Sequence, residues 1–181
     1  MIQSGKVAAL IIALLVSVPV LAQHEGHHPT AKTSQSGGQM KQEAGKVLAA
    51  YYTIKDALVA TNAKEAGQQA DAFLKTLKAV DHSKMSAAEM KSFDVYSRNL
   101  EKHAREIQKN KNVEKQRSHF ELLSKEMTAF AKEYKPEKTY VQYCPMAADG
   151  KGAAWLSSKK EIANPYYGSR MMKCGKVTEE I

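Results

Sequence analysis

The chain has 181 residues, two cysteines, and 27 Lys and Arg against 19 Asp and Glu for a net charge of +8, which suits one ordinary domain. Its lysines are scattered along helical faces without a glycine- or aromatic-interleaved basic tract, so the charge reads as solvated surface and a nucleic-acid partner is excluded.

Lys6 precedes an apolar run from Val7 to Leu21, and "VLA" ending at Ala22 satisfies the small-residue cleavage rule, so residues 1–22 read as a secretory signal peptide. The run is short, is broken by Pro19 and meets a polar stretch at once, which predicts a periplasmic protein with no membrane span after signal cleavage. Residues 23–40, rich in His, Gly, Ser, Thr and Gln, read as a disordered leader. Its His24, His27 and His28 would bind Cu(II) or Zn(II) only weakly, for lack of a fixed geometry.

Residues 41–135 carry helical patterning. Ala44, Val47, Leu48, Tyr51, Ile54 and Leu58 follow the three-four spacing of a buried stripe, predicting a first helix over residues 41–60. Asn62 with Glu65 opens a second, whose stripe is Ala66, Ala70, Phe73, Leu74 and Leu77. The capping box Ser86 to Glu89 opens a third, with Met90, Phe93, Leu100, His103, Ala104 and Ile107 on one face. After Asn112 a fourth presents Val113, Gln116, Phe120, Leu123, Met127, Phe130 and Tyr134. The predicted fold class is mainly α, an antiparallel four-helix bundle with a small irregular β-containing C-terminal tail.

That tail, residues 136–181, begins where Pro136 disfavours helix at Lys135. "TYVQY" from Thr139 and a weaker "GKVTEEI" from Gly175 read as strands. If they pair antiparallel, Cys144 falls beside Cys174. Met146 and Met171 follow them to the same place, and thiolates with thioethers select soft ions, Cu(I) or Ag(I). The alternative is a Cys144–Cys174 disulfide, contributing about 3 kcal/mol in the chain-entropy model, with both methionines as core filler. Both readings stand on the sequence.

His103 and His119 border the stripes of helices three and four and are candidate nitrogen ligands, although a lone histidine on an apolar face is more often a hydrogen-bonded core residue. No Cys-x-x-Cys, haem-attachment, nucleophile-elbow, His-Glu-x-x-His or phosphate-loop motif occurs, so nothing favours an enzyme. Non-covalent haem on His103 and a methionine is a third reading.

"YCPMA" from Tyr143, "WLS" from Trp155, "EIANPYYG" from Glu161 and "MMKCG" from Met171, with "YYTIKDALV" from Tyr51 and "EKQRSHFELLS" from Glu114, carry a resemblance. The chain resembles a bacterial domain family of unknown function that occurs alone behind signal peptides and also fused to periplasmic adaptor subunits of copper and silver efflux pumps. The resemblance implies a metal context, with an efflux adaptor or another periplasmic metal carrier as partner. It places weight on Cys144, Pro145, Met146, Trp155, Asn164, Pro165, Tyr166, Gly168, Met171, Cys174 and Gly175, and on His103, Gln116, Arg117 and Phe120. Met172 stands where a leucine is expected, which makes Met171 the ligand and Met172 the packing residue. Ala147 stands where the short metal-binding domains of such adaptors carry a histidine. Among these residues, Asn164-Pro165 with Gly168 are expected to form a tight turn, Trp155 to anchor the tail, and Arg117 to tie it to helix four.

Overall fold

Side-chain caps start three of the helices where the sequence places them. Asn62 accepts from the Glu65 N–H at 3.0 Å, Ser86 and Glu89 form a reciprocal capping box, and Asn112 accepts from the Glu114 and Lys115 N–H groups. The computed structural model of the protein describes residues 31–181. It contains helices α1 (Ala31–Val59), α2 (Ala63–Lys78), α3 (Ala87–Lys109) and α4 (Val113–Tyr134). Consecutive helices pack on one another and α4 closes against α1, giving the expected bundle. Helix α4 stops at Lys135, which takes the left-handed C-cap conformation (φ 43°) immediately before Pro136.

The stripes of α1 and α2 are buried as their spacing requires. Two expectations are corrected. Helix α1 begins at Ala31, so residues 31–40, read as the end of the leader, lie in the helix. Met40 is buried because it extends the three-four stripe of Ala44 and Val47 by one turn. Met90 in turn is exposed, since it sits in the first turn of α3, ahead of the packed stretch that starts at Phe93. Residues 1–22, read as a signal peptide, and His24, His27 and His28 lie outside the described residues.

The tail forms a three-stranded antiparallel sheet in the order β2-β1-β3, with β1 (Tyr140–Cys144) central, β2 (Ala153–Ser157) and β3 (Lys176–Glu180). The predicted pairing of β1 with β3 is present. Strand β2, around Trp155, was not expected. It is the strand that seats the sheet, packing on α4 with Trp155 and Leu156 fully buried.

A buried polar relay fixes that contact. The Leu156 N–H donates to the Tyr51 hydroxyl at 3.1 Å, and that hydroxyl shares a hydrogen bond with Ser124 Oγ at 2.7 Å. Burial drives the Tyr51 phenol far above its ordinary pKa, so it stays protonated as the relay requires. Tyr51→Phe keeps the ring but strands a buried amide and a buried hydroxyl. Urea unfolding is expected to report a loss of about 2 kcal/mol, and an unchanged midpoint would remove the relay from the list of tail anchors.

Candidate functional site

Cys144 closes β1 and is 0% exposed. Cys174 lies just before β3, and the antiparallel register, which sets Tyr143 opposite Lys176, brings the two cysteines together. Their sulfurs are 2.7 Å apart, closer than non-bonded sulfur atoms approach and longer than the roughly 2.05 Å of a disulfide bond. The Cys174 thiol is pushed above its ordinary pKa, first by the hydrogen bond with Cys144 and then by burial, while the Met146 N–H opposes the shift by donating to the sulfur.

The loop carrying Cys174 is built by three of the expected structural residues. Asn164, fully buried, donates from Nδ2 to the Cys174 carbonyl at 2.9 Å and accepts the Tyr166 N–H on Oδ1 at 2.8 Å. Gly168 donates its N–H to the Asn164 carbonyl at φ 57°, and a Cβ there would meet Thr61 Oγ1 at 2.3 Å and Arg117 Nη2 at 2.9 Å. Arg117, almost fully buried, reaches from α4 to the Pro165 carbonyl at 2.9 Å, the Leu58 carbonyl at 3.1 Å and Thr61 Oγ1 at 3.0 Å. Trp155 lies edge-on to Tyr166, and Gly175 leaves it room: a Cβ there would stand 2.9 Å from the indole ring.

The two methionines flank this pair on the surface. Met146 is 52% exposed on the turn after Cys144-Pro145, its carbonyl accepting from the Tyr167 hydroxyl. Met171 is 36% exposed, and its carbonyl accepts the Cys174 N–H at 3.0 Å. Met172, by contrast, is half-buried. This corrects the core-filler reading of Met146 and Met171. Backbone groups of both residues bond to Cys174, and their side chains are open to solvent.

His103 and His119 face each other across α3 and α4 with ring centroids 6.3 Å apart. They do not join the sulfur pair. Among the described residues, no three of His, Cys, Asp and Glu gather around one point.

Gln142 is an organiser that the sequence reading missed. Fully buried in the central strand, its Nε2 donates to the carbonyls of Lys159, Lys160 and Glu161 and gathers the loop after β2. A glutamine inside an otherwise apolar strand was the available clue.

A model of the family described as "Protein of unknown function (DUF3347)" matches residues 47–139. No curated protein and no solved structure matches. The matched segment runs from within α1 to the residue before β1, so it holds His103, Arg117 and His119 and none of the four sulfur residues. With the model spanning half of its length, the chain belongs to this family of unknown function.

Proposed function

We propose that the protein binds a soft metal ion, Cu(I) or Ag(I), through the thiolates of Cys144 and Cys174 with thioether support from Met146 and Met171. In this reading it works in the periplasm and passes the ion to a heavy-metal efflux adaptor or another metal carrier. The observation that carries the reading is the contact of the two cysteine sulfurs, with an exposed methionine close to each along the chain. Exposed thioethers suit ligand exchange with a partner, because they bind without losing a proton and are reached without unfolding the domain.

The donor set fits such an ion after a small movement. Two thiolates sharing one ion at about 2.3 Å each stand roughly 3.7–4.6 Å apart, so the sulfurs must part by about 1–2 Å. Cys174 sits in a partly exposed loop and supplies the movement more easily than buried Cys144.

The same contact favours a second reading, in which an external oxidant takes two electrons, two protons leave, and a Cys144–Cys174 disulfide turns the tail into a permanent docking surface. Titrating free thiols and bound Cu(I) on one sample separates the two. One equivalent of Cu(I), held against a competing chelator by the dithiol form and lost on oxidation, supports the carrier. A protein isolated with no free thiol and resistant to mild reduction supports the docking module.

Binding is also expected to strengthen with pH. Each thiol surrenders a proton on ligation, so affinity climbs by up to about a hundredfold per pH unit while both are protonated. The raised pKa of Cys174 extends that climb above the ordinary cysteine range. A pH-independent dissociation constant between pH 6 and 8 would argue against thiolate ligation.

A further inference from the structure

The rings of His103 on α3 and His119 on α4 lie 6.3 Å apart between centroids, with their planes inclined by 32°. Among the described residues, the Nδ1 atoms of both rings are buried with no hydrogen-bond partner. Buried imidazole nitrogens normally find a partner, so two such atoms in facing rings call for an account. Two imidazoles on one ion, with metal–nitrogen bonds of about 2.0–2.1 Å, place their centroids roughly 5–6.5 Å apart depending on the angle at the metal. The observed 6.3 Å sits at the wide end of that range, so tetrahedral ligation requires the rings to close by about 1 Å.

From this geometry we infer a second metal site, at the α3–α4 seam, in which His103 and His119 hold a borderline divalent ion such as Zn(II) or Cu(II). Imidazole nitrogen favours these ions over the soft monovalent ones that thiolate and thioether select. Both helices are packed into the bundle, so the rings project from rigid elements, which is how bundles present ligands from facing helices. No third His, Cys, Asp or Glu joins them among the described residues, so these two side chains are the ligands the site draws from that set. The site stands independently of the sulfur reading, since its ligands and its class of ion are different.

The test is a Zn(II) titration of the purified full chain, in excess over the two thiols, following each imidazole by long-range ¹H–¹⁵N correlation. The His103 and His119 resonances are expected to shift together along one saturation curve, distinct from that of the leader histidines. His119→Gln is expected to weaken the response of His103 at least tenfold, with the thermal midpoint of the metal-free protein checking that the variant is folded. The inference is overturned if the two rings stay unshifted after the other ligands saturate. It fails equally if they follow separate curves, or if His103 responds unchanged in the folded His119→Gln protein.

Discussion

Cys144→Ser is expected to lower Cu(I) affinity by at least about a hundredfold, the upper end of what losing even a supporting group around a metal costs. Met171→Leu and Met146→Leu are expected to lower it by about tenfold each. The methionine variants are the sharper test, because both side chains are exposed and surface substitutions of this kind shift stability by no more than about 0.5 kcal/mol. A loss of affinity in them therefore reports ligation rather than misfolding. Competition against a Cu(I) chelator under reducing, anaerobic conditions reads the effect. If Met146→Leu and Met171→Leu both bind as the wild type does, the thioethers are not ligands. If Cys144→Ser does as well, the sulfur site is abandoned and the disulfide-stabilised docking module takes its place.

Arg117→Met is expected to destabilise the protein by about 3 kcal/mol, because one buried guanidinium serves the Pro165 carbonyl, the Leu58 carbonyl and Thr61 at once. In a domain of this size that is a fall of roughly 10 °C in thermal midpoint. Arg117→Lys is expected to recover little. A point-like ammonium cannot address three acceptors in the directions a planar fork reaches, and its charge would stay buried with fewer bonds. The contact spans α4, the end of α1 and the loop of Asn164 and Gly168, so its loss should also loosen Cys174 and weaken soft-ion binding. Full stability in the lysine variant would reduce Arg117 to a packing residue with a charge.

The helical half was legible because its signals are local. Three-four spacing determined which faces of α1, α2 and α4 are buried, and Asn62, Ser86 and Asn112 marked the starts, since a cap bonds to N–H groups only two or three residues on. The β1–β3 pairing was legible for a related reason. Two β-rich runs flanking turn signals have one economical antiparallel arrangement, and it carries Cys144 to Cys174.

What local signals do not encode is where a long-range partner stands. Strand β2 escaped notice because "AAWLS" has no clean alternation, and its place beside β1 depends on the face of α4 that buries Trp155. Gln142, Tyr51 and Ser124 read as ordinary polar or aromatic positions until their partners arrive from elsewhere in the chain. The exposure of Met146 and Met171 was likewise a tertiary matter, since methionine packs equally well in a core or at a rim. The sequence by itself determined the bundle, its caps and the meeting of the two cysteines, because spacing and capping act through neighbouring residues and two β-rich runs flanking turn signals have one economical antiparallel pairing. Only the tertiary structure decided that the methionines line the surface and that His103 and His119 face each other apart from the sulfur, because those positions depend on how separate helices and strands come to pack.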